Sequence, residues 1–339
     1  MPANMNDIAA SLGVSRTTVS RVLSGKAETF RIAKKTADKI LAEAKRRGYR
    51  PSELARGLRT ARSNAVGLVV SDISNPFFAN IAWAVEQACE QAGFATLMGS
   101  SGEDPGRERN YIENLRSRGA DGIIVAPAGS DYGHLLQMKA EGYPFVLLDR
   151  VFEDLDCDWV AVDNVRAAKA VCETLLARGT KRIGYIGGRM ETSTGRGRLE
   201  GYRAALRAAR IPFDNALAVR GDFSIESGRA GVEQLLKLKE PPDAIFCANN
   251  KILFGCIERL NEAPAEPWMR TPLAAFDATP FMKVIGRTLV VAAQPERQIG
   301  QRAAELLIKR IRSAPPGSPR MNKPYAHELL EVEVRKFGF

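Results

Sequence analysis

Apolar residues in the first fifty positions recur at spacings of three and four, the period of an amphipathic helix. The pattern predicts three short helices, over about residues 6–12, 16–23 and 34–47. Gly13 can form a tight turn between the first two, and Ser15 can cap the second. The outer face of that second helix is polar and basic. This arrangement is typical of a helix-turn-helix, whose second helix enters the major groove of DNA.

From about residue 64 the pattern changes to short, continuous apolar runs that alternate with amphipathic helices. Continuous apolar strands separated by helices indicate parallel sheets that are covered on both faces. The alternation occurs in two series, which predicts two doubly wound parallel-sheet lobes with a cleft between them. We therefore expect an all-α helix-turn-helix head followed by an α/β core, with a last strand over 329–334.

A weaker helix signal lies between these two parts, after Pro51. Leu58 is an apolar residue in a segment that also contains Arg56 and Arg59. A helix that forms on DNA and inserts an apolar wedge at a base step explains both features. The predicted divisions are a helix-turn-helix domain (1–50), a hinge helix (51–62) and a core (63–339) with lobe 1 at about 63–163 and 293–324 and lobe 2 at about 164–292 and 325–339.

The net charge of +10 is concentrated in the N-terminal part of the chain. Residues 1–62 contain 14 Lys and Arg against 5 Asp and Glu, whereas the other 277 residues contain 35 against 34. A basic excess confined to one small, helix-patterned module is the electrostatic footprint of a nucleic-acid-binding domain.

Other features of the composition exclude several classes of protein. The five cysteines form no C-x-x-C pair and there are two histidines, so we expect no metal site, no cofactor and no enzyme activity. No apolar run approaches the roughly 18–20 residues of a membrane span, and no secretory signal is recognisable. We therefore expect a cytoplasmic, nucleoid-associated protein with no membrane partner.

Several short motifs make the chain similar to the lactose/galactose repressor (LacI/GalR) family of transcription regulators. They are Asp7-Ile8-Ala9, Gly13-Val14-Ser15, Thr18-Val19-Ser20-Arg21-Val22-Leu23, Gly48-Tyr49 and Leu54-Ala55-Arg56-Gly57-Leu58. Ser24 and Ala33 depart from the family pattern. The stretch over 25–32 is longer than in most members and resembles the fructose- and sucrose-repressor branch, which favours a sugar or sugar phosphate as ligand.

The resemblance implies a role for individual residues of the head. Arg16 and Thr17 would open the recognition helix, Arg21 would contact a guanine edge, and Leu58 would insert into the minor groove beside its dimer mate. The candidate DNA-binding residues are Ser15, Arg16, Thr17, Thr18, Ser20, Arg21, Arg56, Leu58 and Arg59.

Ligands of open parallel sheets bind beyond the carboxyl ends of the strands, where this chain has recurrent Asp and Asn residues. Such side chains suit sugar hydroxyls, and a nearby arginine suits an anionic group. The resemblance implies a periplasmic-binding-protein-like core with these ligand-binding candidates: Ser71, Asn75, Phe77, Asp149, Arg150, Arg198, Phe223, Asn249, Asp277 and Gln294. Asn250 and Ala278 replace aspartates that are usual in the family.

Together these features predict a homodimeric repressor of sugar or sugar-acid catabolism genes. It would bind double-stranded, palindromic operator DNA and release it when a sugar, sugar acid or sugar phosphate binds. No leucine heptad follows the helix at 299–312, so a tetramerising tail is not indicated. Three alternatives stay open: a regulator of the same family that needs a corepressor, a solute-binding protein, and an enzyme of sugar metabolism on a similar scaffold.

Overall fold

The structure is a computed structural model that describes residues 4–49, 62–262, 270–313 and 324–338. It divides into two compact units, with the boundary between residues 63 and 64. The predicted hinge residues Arg56, Leu58 and Arg59 lie outside the described residues. The N-terminal unit is the head, and the C-terminal unit is the sensor core.

The head contains helices α1 (Met5–Leu12), α2 (Arg16–Leu23) and α3 (Lys34–Arg46). Gly13 ends α1 in a left-handed conformation, with φ of 64°. The Ser15 hydroxyl then accepts the N–H of Thr18 at 3.1 Å and so begins α2. The three predicted helices are confirmed, and their inner faces form a small buried cluster.

Two six-stranded sheets form the sensor core. The first has the order β11-β5-β4-β3-β1-β2 and is parallel throughout. Its strands are β1 (Ala65–Val70), β2 (Ala95–Ser100), β3 (Gly122–Val125), β4 (Phe145–Leu148), β5 (Asp158–Val162) and β11 (His327–Leu330). Helices α4 (Pro76–Gln91) and α11 (Glu296–Ser313) cover one face, and α5 (Pro105–Ser117) and α6 (Gly133–Ala140) supply the buried residues of the other.

The second sheet has the order β12-β10-β9-β8-β6-β7, with only β12 antiparallel to its neighbour. Its strands are β6 (Ile183–Ile186), β7 (Ala218–Val219), β8 (Ala244–Cys247), β9 (Leu273–Phe276), β10 (Leu289–Ala293) and β12 (Glu333–Phe337). The helices packed on it are α7 (Asn164–Leu176), α8 (Ser193–Ala208), α9 (Ile225–Leu236) and α10 (Asn250–Glu262). The predicted pair of doubly wound lobes is confirmed.

The C-terminal segment differs from the sequence analysis, which placed 325–339 in lobe 2 with one strand over 329–334. His327–Leu330 belongs to the first sheet instead, where His327 pairs with Trp159 and its ring stacks on the indole. Glu328 also forms an ion pair with Arg302 of α11 at 2.7 Å. The chain crosses at 331–332, and only β12 joins the second sheet, so the alternation of apolar and acidic residues over 329–334 concealed a break between two strands.

Two glycines bring α9 and α10 into backbone contact. A Cβ on Gly255 would lie 1.9 Å from the carbonyl oxygen of Ile225, and a Cβ on Gly228 would lie 2.2 Å from that of Ile252. Because both obstacles are backbone atoms, neither helix can yield by changing a side-chain rotamer. The packing of this pair therefore requires a residue without a side chain at each crossing point.

We predict that Gly255→Ala lowers the free energy of unfolding of the full chain by roughly 1–3 kcal/mol, the usual cost of overpacking. Urea denaturation followed by circular dichroism measures this loss. Gln234→Ala, at an exposed position of α9, is the control and is expected to change stability little. Equal stability of the Gly255 variant and wild type would show that the helices separate at little cost.

Candidate functional site

A polar cavity of about 350 Å³ lies between the two lobes of the sensor core. Its lining comes from segments that follow the carboxyl ends of strands in both sheets, as the sequence analysis expected. The candidate residues that line it are Asn75, Phe77, Asp149, Arg150, Arg198, Phe223, Asn249 and Asp277.

Asp149 and Asp277 occupy equivalent places directly after β4 and β9. Both have left-handed backbones, with φ of 63° and 68°, and both are almost fully buried, at 4% and 3% exposure. Gln294 donates to Asp277 Oδ1 at 2.7 Å, whereas Asp149 Oδ1 has no hydrogen-bond partner in the part of the chain that the structure describes. The cavity therefore contains a buried carboxylate oxygen that is ready to accept a hydrogen bond.

Burial controls the protonation of both carboxyl groups. It raises the pKa of Asp149 to about 6, although the positive charges of Arg198 and Arg150 act in the opposite direction. Burial also raises the pKa of Asp277, against the charge of Arg198 and the hydrogen bond from Gln294. Removal from water disfavours an ionised carboxylate, so a ligand hydroxyl that donates to either group would relieve this cost.

Arg198 extends from α8 into the cavity and is held on three sides. Its Nε donates to Asn164 Oδ1 at 2.9 Å, and its Nη1 donates to the carbonyl oxygen of Ala248 at 2.7 Å. The guanidinium carbon lies 3.9 Å from the centre of the Phe276 ring. These contacts fix its plane, and Nη2 has no acceptor within the described residues. Arg198 is therefore oriented to donate to a ligand.

Arg150 is already paired, in contrast to Arg198. Its Nη1 and Nη2 donate to the two carboxylate oxygens of Glu103 at 2.6 and 2.7 Å, and Nη1 also donates to the carbonyl oxygen of Pro127. This bidentate pair satisfies most of the guanidinium. The structure thus places Arg150 at the cavity wall, with its charge balanced by a residue of its own lobe.

Phe223 supplies an apolar surface in this otherwise polar cavity. Its backbone is left-handed, with φ of 72°, and its ring packs so closely on Gly188 that a Cβ there would lie 2.0 Å from it. Asn249 holds the same loop, because its Nδ2 donates to the Phe223 carbonyl oxygen while its Oδ1 accepts the N–H of Ile252. Asn249 therefore positions the loop and caps α10.

Two candidate residues are not among the residues that line the cavity. The Ser71 hydroxyl donates to the carbonyl oxygen of Ala126 at 3.2 Å, and Gln294 supports Asp277 as described above. The position of a residue after a strand predicts its neighbourhood but not the direction of its side chain. Arg189, Thr194 and Lys251 line the cavity but were not in the predicted set. The cavity wall has no sequence period that could have revealed them.

Polar contacts among the described residues join the lobes beside the cavity. Lys251 Nζ lies 2.8 Å from Asp72 Oδ2, and Asn250 Nδ2 donates to Asn75 Oδ1 at 2.9 Å. Both connect the segment after β1 with the beginning of α10. Asp72, Asn75 and Lys251, which line the cavity, thus also hold its two walls together.

The candidate DNA-binding residues of the head differ in their exposure and in their hydrogen bonds. Arg16, Thr17 and Arg21 are exposed on the outer face of α2, and Ser20 is half-buried beside them. Ser15 and Thr18 are bonded to each other through their hydroxyls, 2.8 Å apart, as part of the helix cap.

The described helices include none that is long and apolar enough to cross a membrane, and the described His, Cys, Asp and Glu residues form no cluster suited to a metal ion.

Comparison with known proteins identifies the family. Residues 63–328 match the family of periplasmic binding proteins and the sugar binding domain of the LacI family, and residues 4–52 match the bacterial regulatory proteins of the lacI family. The chain belongs to the LacI family. It is therefore a DNA-binding transcription regulator and not an enzyme, which confirms that part of the sequence analysis.

Relatives share this organisation over nearly their whole length. The HTH-type transcriptional repressor PurR of Proteus mirabilis is 31% identical over 98% of this chain and 95% of its own. The crystal structure of a putative ribose operon repressor from Burkholderia thailandensis has a TM-score of 0.72 at 33% identity and covers 81% of this chain and 99% of that one. A lac repressor dimer bound to operator and an anti-inducer matches the fold with a TM-score of 0.83 at 22% identity, over 99% and 98% of the two chains.

We predict that Asp149→Asn stabilises the ligand-free LacI-family regulator at neutral pH. The pKa of Asp149 is raised by burial to about 6, so above pH 6 the folded state contains a disfavoured charge that the unfolded chain tolerates. The gain is expected to be on the order of 2–3 kcal/mol above pH 6 and to vanish below about pH 4, where both states are protonated.

Denaturation across this pH range measures the effect, with exposed Asp154→Asn as the control. The same Asp149 substitution should weaken effector binding, because an amide replaces one carboxylate acceptor. A variant that is less stable than wild type at pH 7 would show that ionised Asp149 has a favourable partner.

Proposed function

We propose that the chain is a homodimeric repressor that binds a palindromic operator with the outer face of α2 and releases it when a small hydroxylated effector enters the interlobe cavity. The effector class is a sugar, sugar acid or sugar phosphate, and the regulated genes serve its catabolism. The protein would act in the cytoplasm, associated with the nucleoid.

The observation that carries this proposal is the cavity itself. It combines the unpartnered Oδ1 of Asp149, the oriented Arg198 guanidinium and the flat Phe223 ring. Carboxylates and arginines suit hydroxyls and anions, and an aromatic ring suits the apolar face of a sugar. The relatives include a ribose operon repressor by name, which supports a small polar metabolite as the effector.

The head supports the DNA-binding half of the proposal. Arg16, Thr17 and Arg21 form an exposed strip on one short helix, and an arginine there can contact a guanine edge with two hydrogen bonds. Paired heads of a dimer would contact two half-sites of a palindrome. The candidate hinge residues Arg56, Leu58 and Arg59 would complete the contact by inserting Leu58 at a central base step. A solute-binding protein would have no use for such a head.

We predict that a palindromic site can be selected from a random duplex library with the full chain, and that Arg21→Ala lowers affinity for it by roughly 1–3 kcal/mol. Selectivity should be relaxed at one base pair in each half-site. Fluorescence anisotropy with single-base variants of the site measures both effects. Affinity for the wild-type protein should fall steeply with salt, because binding releases counterions from the phosphates.

Arg118→Ala, which removes the same charge from an exposed position in the sensor core, is the control and should bind like wild type. Failure to enrich any site, or an affinity independent of salt, would contradict operator binding. Loss of affinity by the Arg21 variant without any loss of base selectivity would restrict Arg21 to phosphate contact. Release of the selected site by a sugar-type compound then tests the effector half of the proposal.

A further inference from the structure

Of the four cations that line the cavity, one has no hydrogen-bond acceptor among the described residues. Arg150 is bonded to Glu103, and Lys251 is bonded to Asp72. Arg198 is held by neutral acceptors and influences the two buried aspartates through its charge. Arg189 has neither a carboxylate nor a carbonyl acceptor for its guanidinium among the described residues, and its Nε is buried without a partner.

The backbone around Arg189 is fixed, so this guanidinium is not merely a loop side chain on the surface. Arg189 follows β6 after Gly187 and Gly188. Its carbonyl oxygen packs against the first turn of α8, where a Cβ on Gly195 would lie 2.0 Å away. The Thr192 hydroxyl donates to the same carbonyl oxygen at 2.7 Å. The loop therefore holds Arg189 beside the N-terminus of a 16-residue helix, which itself favours negative charge.

The carboxylates that line the cavity do not pair with Arg189. The cation whose charge acts on the buried carboxyl groups of both Asp149 and Asp277 is Arg198. Asp222 accepts the backbone N–H of Ser224 at 3.0 Å, at the beginning of α9. No described carboxylate is thus bonded to Arg189, and the buried Nε of this arginine has no partner. A ligand that binds here must satisfy Arg189 or leave it desolvated without a partner, which is costly.

We propose that the effector is an anionic, hydroxylated molecule whose oxyanion, a carboxylate or phosphate, is bound by Arg189 beside Thr194 of α8. Its hydroxyls face Asp149 and Asp277. This inference rests on the proposed function and narrows it, because a neutral sugar would satisfy the proposed function but not this assignment. Arg189 then selects the charge of the effector, while the buried aspartates select its hydroxyls.

The test compares neutral and charged members of matched sets on the full chain. D-Glucose is compared with D-glucuronate and D-glucose 6-phosphate, and D-ribose with D-ribonate and D-ribose 5-phosphate. Thermal shift identifies binders, and calorimetry measures their Kd. We expect a charged member to bind about tenfold or more tightly than its neutral partner, as for a hydrogen bond to a charged group. The carboxylate and phosphate arms identify which oxyanion fits.

Arg189→Gln should abolish this preference for charge while retaining binding of the neutral partner. Arg207→Gln is the matched control, because Arg207 is exposed on α8, bonds Glu200 of the same helix and does not line the cavity. Three outcomes would overturn the inference. The first is that a neutral sugar binds more tightly than its charged partners, and the second is that the Arg189 variant keeps the wild-type preference for charged compounds. The third outcome is that no charged compound raises the melting temperature of the protein. Binding of a neutral sugar that releases the operator would leave the proposed function intact.

An independent observation concerns the head. The stretch between α2 and α3 folds back on α2. Lys26 N–H donates to the Arg21 carbonyl oxygen at 2.9 Å, Ile32 N–H donates to that of Ala27 at 2.8 Å, and both Ala27 and Ile32 pack on the buried cluster of the head. The segment is therefore a built turn that places Phe30 beside α2.

The Phe30 ring lies under the Arg21 guanidinium, whose carbon is 3.9 Å from the ring centre. The ring remains 44% exposed, so the contact is not explained by burial of Phe30 in a core. Stacking occupies the face of the guanidinium and leaves its N–H edge available for hydrogen bonds. We infer that Phe30 is a positioning residue that orders Arg21 before DNA binds and so contributes to base selectivity.

The test uses the operator selected with the wild-type full chain. Phe30→Leu keeps apolar bulk but removes the ring, and should weaken binding about two- to fivefold per half-site. The variant should also discriminate less between bases at the one base pair where Arg21→Ala reduces selectivity. The salt dependence should not change, because no phosphate contact is removed. Phe30→Tyr retains the ring and should restore wild-type behaviour, which a purely structural role in the turn would not require.

Unchanged affinity of Phe30→Leu would overturn the inference, as would a loss spread evenly over all base positions. Tighter binding by this variant would overturn it as well, since it would show that the ring withholds Arg21 from DNA. A melting curve of each variant identifies loss of folding. In all these outcomes the wild-type affinity for the selected operator reports separately on the proposed function.

Discussion

The arrangement of the sensor core depends on two carboxylates that are buried at the cavity. The protein supplies fewer hydrogen-bond donors than their oxygens can accept. Asp149 and Asp277 stand at the carboxyl ends of β4 and β9, in left-handed backbones that turn their side chains out of the sheets. Without a ligand, Asp149 Oδ1 has no partner among the described residues. Such a group costs stability in the empty protein, and the same cost is recovered by a ligand that donates to it. The destabilising feature is thus the one that gives the site its affinity.

The surrounding residues make this arrangement tolerable. Arg198 is fixed by Asn164, Ala248 and the Phe276 ring, so its positive charge stands near both aspartates without sealing the cavity. Arg150 has the same charge but is satisfied by Glu103. Two arginines of one cavity therefore act differently because one has an acidic partner within its own lobe and the other does not.

The sequence predicted more of the fold than of the site. Helical spacing and alternating apolar runs indicate the head and two parallel sheets, because those patterns follow from which face of each element is buried. The strand-end rule likewise selected Asp149, Asn249 and Asp277, which line the cavity. The same rule selected Ser71, whose hydroxyl is used by the Ala126 carbonyl.

Two features of the structure could not be predicted from the pattern of apolar residues. They are the position of Arg189 and the division of the C-terminal segment between the two sheets. Arg189 lies in a loop, where no period relates a side chain to a buried face, and its importance depends on partners that it lacks in three dimensions. The strand-like alternation over 329–334 gives no sign of the crossover, which depends on pairing of His327 with Trp159 and on the Glu328–Arg302 ion pair. Both features arise from contacts between residues distant in sequence.

The amide at position 250 couples the two lobes in a way that an aspartate could not. Asn250 Nδ2 donates to Asn75 Oδ1 across the cavity. An ionised aspartate has no proton to donate, so it could not form this bond. Together with the Asp72–Lys251 ion pair, this amide hydrogen bond joins the walls of the cavity, and three of the four residues also line it. An effector changes the balance between lobe arrangements only through its different affinity for each. A ligand that competes for these four side chains would loosen the walls, whereas one that leaves them paired would strengthen the present arrangement.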